Sequence, residues 1–167
     1  FKDIRLGAFD YVASEKDLAF NWDMGDGVSF NFKCLIDRID FVEGKLRIVD
    51  YKTGSDDVQI SKPDDFEDLF APDSNGAHKK ALLQLLLYCN AYATHEHYAD
   101  DITPVVYKFR DVDKCLNGKY DIQQSYLKGK SIRYKPVDGY LNDLKNDKFL
   151  ERIRKVIRDI FDRDVPF

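Results

Sequence analysis

The chain has 167 residues, with 44% hydrophobic and 34% charged positions, which is the composition of one ordinary folded domain and excludes wholesale disorder. Its 26 Lys+Arg against 30 Asp+Glu give a formal charge of -4, which speaks against gripping duplex DNA through a broad basic face. No apolar run reaches the roughly 20 residues a membrane-spanning helix needs, and the N-terminus lacks the order of a signal peptide. Three widely separated cysteines, Cys34, Cys89 and Cys115, suggest reduced thiols and a cytoplasmic setting.

Residues 1–12 carry Ile4, Leu6, Phe9 and Val12 without a clear period and read as a frayed edge. A short strand follows from Leu18 to Met24, and Gly25-Asp26-Gly27 is a strong turn signal. Val28 to Phe41 reads as one long strand, and Leu46 to Lys52 as the next, rich in β-branched residues and ended by Thr53-Gly54. Residues 59–75 are polar, contain two prolines, run into a Ser-Asn-Gly triplet at 74–76, and are expected as a loop. Ala77 to Ala93 is predicted as a helix apolar nearly all round, hence buried between layers. Ile102 to Arg110 is predicted as a strand, Tyr120 to Ser125 as a short one, and Tyr126 to Lys135 as a basic, irregular segment. Val137 to Arg163 is predicted as a long helix, with Leu141, Leu144, Ile153, Val156, Ile157, Ile160 and Phe161 on one stripe. Strands, a buried helix, then strand and helix again make an α/β domain: a mixed sheet covered by helices.

The informative segment is CLIDRIDFVEGKLRIVDYKTG, residues 34–54. Glu43-Gly44 is a natural two-residue hairpin loop, which pairs Val42 with Lys45, Phe41 with Leu46, Ile39 with Ile48 and Asp40 with Arg47. The same register sets Asp37 opposite Asp50, on a face shared with Ile39, Phe41, Leu46, Ile48 and Lys52. Two carboxylates about 5 Å apart at Cβ repel each other, and on an apolar face they are expensive unless something compensates them. A divalent cation would do so, because Mg²⁺ takes one or two carboxylates plus waters. The same residues also fit a surface hairpin whose Asp37, Asp50 and Lys52 form a solvated ion cluster.

The spacing D-x12-D-Y-K-T-G, preceded by LIDRID, resembles the RecB/AddB branch of the PD-(D/E)XK nuclease superfamily. Gln84-Leu-Leu-Leu-Tyr88 is similar to the helical Q-x-x-x-Y motif of that branch. The two motifs lie within residues 34–88, about a third of the chain. The resemblance implies a restriction-endonuclease-like mixed central β-sheet flanked by helices. It implies Asp37 and Asp50 as ligands of Mg²⁺ or Mn²⁺, the backbone carbonyl of Tyr51 as a further ligand, Lys52 as the catalytic lysine, and Gln84 and Tyr88 as positioning groups. Glu15 matches an acidic residue often found upstream of the family's first strand.

Three departures from the family's pattern stand out. No His precedes His78, where relatives carry a metal-binding His on an upstream helix. Position 34 is Cys where Gly is common. Finally, Cys34, Cys89 and Cys115 lack iron–sulfur spacing, although relatives often place cluster cysteines beyond a C-terminal Pro-Phe like Pro166-Phe167.

The expectation is therefore one nuclease domain over residues 1–167, without an iron–sulfur cluster, excised from a larger helicase–nuclease. It would be an exonuclease hydrolysing DNA phosphodiesters in strand-break repair or recombination, acting on single-stranded ends with a helicase partner and no membrane. The alternative is a nuclease-like module that has lost catalysis and binds DNA or scaffolds a complex. Lys128, Lys130, Arg133 and Lys135, interleaved with Tyr126 and Tyr134, suit single strands, but a solvated loop explains them as well. His95 and His97 are expected on the surface after a helix, and nothing requires His78 at the site.

Overall fold

The computed structural model describes residues 9–54, 59–60, 66–70, 79–109, 122–137 and 145–161. Four strands form one mixed sheet in the order β1-β2-β3-β5. These are β1 (Phe9–Asp23), β2 (Ser29–Val42), β3 (Lys45–Lys52) and β5 (Ile102–Lys108), numbered along the chain. The first three are antiparallel neighbours, and β5 runs parallel to β3. A second, three-stranded sheet joins β4 (Gln59–Ile60), β6 (Gln123–Lys128) and β7 (Ser131–Pro136). The helices are α1 (Glu67–Phe70), α2 (Lys80–His95) and α3 (Lys145–Phe161). The α/β architecture expected from the sequence, a mixed sheet with helices packed on it, is the one observed.

β1 is far longer than the Leu18–Met24 strand read from the sequence, because its first half hides its period. Val12 is an extra residue in a bulge between Tyr11 and Ala13, and Glu15 sits at φ 49°. Each irregularity breaks the alternation that marks a strand. The turn to β2 is as expected: Gly25, Asp26 and Gly27 all have positive φ, and Met24 N–H donates to Val28 O at 2.9 Å.

The Glu43-Gly44 loop has both residues left-handed, at φ 52° and 77°, as a two-residue loop of this twist requires. The predicted register then holds for Val42↔Lys45, Phe41↔Leu46, Ile39↔Ile48, Asp40↔Arg47 and one further pair, Arg38↔Val49. The ladder stops there, so Asp37 and Asp50 are not ladder partners. The Asp37 carboxylate instead accepts the Tyr51 backbone N–H at 2.7 Å, a bond that spends its negative charge on a donor.

Helix α2 begins at Lys80, not Ala77, and ends two residues later than expected. Its end is a Schellman arrangement in which His97 supplies the left-handed residue at φ 53°, and Tyr98 N–H donates to Ala93 O at 2.9 Å. Leu82, Leu85, Leu86 and Cys89 are fully buried, in one core with Leu18, Ile36, Ile39, Leu46, Ile48, Ile102 and Val106. α3 joins this core through Phe149 and Ile153. A reciprocal amide pair, Asn90 with Asn146 at 3.0 Å in both directions, ties α3 to α2 inside it.

Three further expectations are corrected. The polar stretch 59–75 contains β4 and α1, and Ile60, Leu69 and Phe66, just before α1, are buried in the core. The segment 126–135 is no irregular loop but most of the β6–β7 hairpin, because the two-residue Gly129-Lys130 loop puts glycine at φ 64°. Within the predicted helix 137–163, Val137 lies beyond the end of β7, buried, and the described helix begins at Lys145. Leu141, Leu144, His78, Cys115, Pro166 and Phe167 lie outside the described residues. No described helix is long and apolar enough to cross a membrane.

Candidate active site

The site forms where β3 leaves the core. Strand periodicity puts Leu46, Ile48, Asp50 and Lys52 on the face covered by α2, and the first two are fully buried. Asp50 continues that face and is itself only 2% exposed. A carboxylate so desolvated needs charged or hydrogen-bonded company. Lys52 supplies it, two residues on, with Nζ 3.0 Å from Asp50 Oδ2.

The helix completes the arrangement. Gln84 and Tyr88 are one turn apart on α2, and Lys52 Nζ donates to Gln84 Oε1 at 2.8 Å. Gln84 Nε2 in turn donates to the Tyr88 hydroxyl at 2.5 Å. The half-buried amide within ALLQLLLY therefore spends both of its ends in an unbroken chain, Asp50–Lys52–Gln84–Tyr88. Burial raises the Tyr88 pKa, outweighing the Gln84 hydrogen bond, so the phenol stays protonated and keeps a proton to donate. An ammonium has three N–H bonds. Two are used on Asp50 and Gln84, which leaves one for an oxygen of a bound molecule.

Asp37 reaches the same place from β2. Its carboxylate rests on the amide of Tyr51, the residue between Asp50 and Lys52. The five side chains singled out from the sequence thus converge on the end of β3 and the facing turn of α2. Glu15 lies opposite Asp37 in the β1–β2 register, exposed, without being its ladder partner. His95 and His97 are exposed at the end of α2, with His95 edge-on to Phe20 at 5.3 Å.

Tyr51 is anchored on the opposite face of the sheet. Its ring stacks on Phe109 at 5.5 Å and lies 5.8 Å from Tyr107, and its hydroxyl accepts from Arg38 Nη1 at 3.3 Å. Arg38 also contacts Asp40 at 2.6 Å and lies 4.5 Å over the Phe9 ring. Arg47 grips the same carboxylate with both arms, at 2.7 and 2.9 Å. Although burial works against its charge, the hydrogen bond to Asp40 prevails and the Arg47 pKa is raised.

The sequence reading missed Lys108. It is buried and is the parallel ladder partner of Lys52, on the same face of the sheet. The usable signal was the repeat of Tyr-Lys at the ends of the two strands, Asp50-Tyr51-Lys52 beside Val106-Tyr107-Lys108.

Among the described residues no group of three or more His, Cys, Asp or Glu is placed to hold an ion. Two carboxylates and a main-chain carbonyl at residues 37, 50 and 51 fit a hard cation that keeps several waters, which is the habit of Mg²⁺. They lack the His and Cys ligands that structural zinc sites are built from.

The family model of the PD-(D/E)XK nuclease superfamily matches residues 2–167. The chain belongs to that superfamily. Membership implies nuclease activity with DNA as the partner, and members of the superfamily usually use divalent metals. The fold described above is consistent with the restriction-endonuclease-like architecture of the superfamily. No curated protein and no solved structure gives a significant match.

Proposed function

We propose that this PD-(D/E)XK domain is a Mg²⁺- or Mn²⁺-dependent exonuclease hydrolysing DNA phosphodiesters. Its setting would be that of RecB/AddB-like domains: strand-break repair or recombination, on single-stranded ends delivered by a helicase. The observation that carries this reading is the contact of Lys52 Nζ with both Asp50 and Gln84, which joins the two sequence motifs in one hydrogen-bonded chain. A merely structural ion pair has no need of the Gln84–Tyr88 relay behind it.

Asp37, Asp50 and the Tyr51 carbonyl would hold the cation, which when bound lowers the pKa of a water and offsets charge on the attacked phosphate. Lys52 would place its remaining N–H on a phosphate oxygen, where charge grows as the phosphorus becomes crowded. Gln84 fixes the direction of that ammonium, and Tyr88 fixes Gln84. The Tyr88 proton is then available to a second oxygen of the DNA backbone.

The test is cleavage of end-labelled single-stranded and duplex DNA in Mg²⁺ and in Mn²⁺. Asp50→Ala and Lys52→Ala should abolish product while circular dichroism stays native. Activity retained in either purified variant would remove the assignment. The alternative, a binding module without catalysis, predicts no cleavage by the wild type under any metal.

A further inference from the structure

The geometry points to the β6–β7 hairpin as the surface that holds single-stranded nucleic acid beside the active site, a reading that rests on the nuclease assignment for its partner. Residues 122–137 contain four cations, Lys128, Lys130, Arg133 and Lys135, and no acid, in a chain whose formal charge is -4. No acid within the segment offsets those four charges, and a polyanion is the partner such a surface complements.

The hairpin is held firmly at one end and open at the other. At its base Ile122 and Val137 are buried in the common core, and Val137 N–H donates to Ile122 O at 2.8 Å. Beyond the base every residue from Gly129 to Lys135 is exposed, as are Tyr126 and Lys128. The register Tyr126↔Arg133 and Lys128↔Ser131 puts Tyr126, Lys128, Arg133 and Lys135 on one face by strand alternation. Tyr126 is 41% exposed and is the cross-strand partner of Arg133. An exposed ring among cations on a paired ribbon offers what a single strand needs: a flat surface for a base and charges for the phosphates on either side. A duplex hides its bases and cannot use the ring.

The ribbon is also placed next to the catalytic elements. β6 pairs with β4, which follows Lys52 by seven residues in the chain. The β4 residue Gln59 accepts a hydrogen bond through its main-chain oxygen from Lys79, the residue immediately before α2. Gln84 is little more than one turn further along that helix. A strand lying on the hairpin therefore approaches the end of α2 from which Gln84 reaches Lys52.

The test is fluorescence anisotropy of a labelled 20-nucleotide oligothymidylate with the full chain in EDTA, where no cleavage intervenes. The triple variant Lys128→Gln/Arg133→Gln/Lys135→Gln should bind at least about 10-fold more weakly. Its slope of log K against log salt should flatten by about two, since each phosphate contact on a single strand contributes about 0.7. Tyr126→Ala should weaken binding by about 5-fold or more while Tyr126→Phe retains it, because stacking needs the ring and not the hydroxyl. A control with the same charge change elsewhere, Lys33→Gln/Lys148→Gln/Lys155→Gln, should bind within twofold of wild type. No measurable wild-type binding, an equal loss in the control, an unchanged salt slope, or an equal loss for a blunt duplex would each overturn the proposal. Cleavage is read separately: a wild type that binds through the hairpin yet cuts nothing defeats the nuclease reading and leaves this one standing.

Discussion

Asp40 is the residue whose removal should hurt the fold most. It is fully buried, it accepts both arms of Arg47 at 2.7 and 2.9 Å, and it meets Arg38 at 2.6 Å. Asp40→Ala deletes the one carboxylate that these two guanidinium groups share and leaves their charges at 6% and 13% exposure. Breaking a buried ion pair from one side costs about 3–5 kcal/mol, because the remaining charge keeps its desolvation penalty. Unfolding entropy of about 2.1 cal/mol/K per residue comes to about 0.35 kcal/mol/K over 167 residues. A 4 kcal/mol loss should therefore lower the melting temperature by about 11 °C, and urea titration should show the same loss at 25 °C with an unchanged slope. If stranded charge is the cause, the triple variant Asp40→Ala/Arg38→Met/Arg47→Met should recover most of the stability. A single variant that loses less than about 1 kcal/mol would refute the reasoning. So would a triple variant as unstable as the single one.

Gln84→Met keeps the volume of the side chain and removes both hydrogen bonds to Lys52 and Tyr88. Single-turnover cleavage should slow by about 10- to 100-fold, from a misdirected ammonium, with little change in urea midpoint. Glu96, whose pKa is lowered chiefly by its hydrogen bond to Lys16, joins the end of α2 to β1 at 2.9 Å. A depressed carboxylate contributes stability above its unfolded pKa and loses it as pH falls through the folded one. The advantage of wild type over Glu96→Gln, below about 1 kcal/mol at neutral pH, should accordingly vanish in acid melts. Burial, and secondarily Asp17, push the Cys34 thiol up to about 11, and burial raises Cys89 as well. At pH 8 folded Cys34 should therefore react with iodoacetamide roughly 200-fold more slowly than after denaturation, read site by site by mass spectrometry.

How much of this was legible beforehand depends on what each element told locally. The β2–β3 register was legible because Glu43-Gly44 has only a few loop geometries open to it and strand faces repeat every two residues. Gln84 was legible because an amide inside an apolar helix must bond to something. The Asp37–Tyr51 bond was not, since pairing rules describe backbone ladders and say nothing of a side chain that takes over where the ladder ends. The Asp40–Arg47 pair was legible from the same register, but its burial and the part of Arg38 in it were missed for another reason. Alternation marks the Arg47 face of β3 as polar, yet that face is covered as well, as the burial of Val49 and its ladder partner Val105 shows. Lys108 lay in plain view in the chain, yet its place beside Lys52 comes from a parallel pairing separated by 56 positions.

The most direct test of the central claim is Mg²⁺ binding at Asp37 and Asp50, followed by thermal melting of wild type, Asp37→Asn and Asp50→Asn. With a dissociation constant near 1 mM, 10 mM Mg²⁺ should stabilise the wild type by about 1.4 kcal/mol, or about 4 °C. Both variants should lose that increment and Gln84→Met should keep it. A wild type whose melting temperature ignores Mg²⁺ and Mn²⁺, or variants that retain the full shift, would contradict the account.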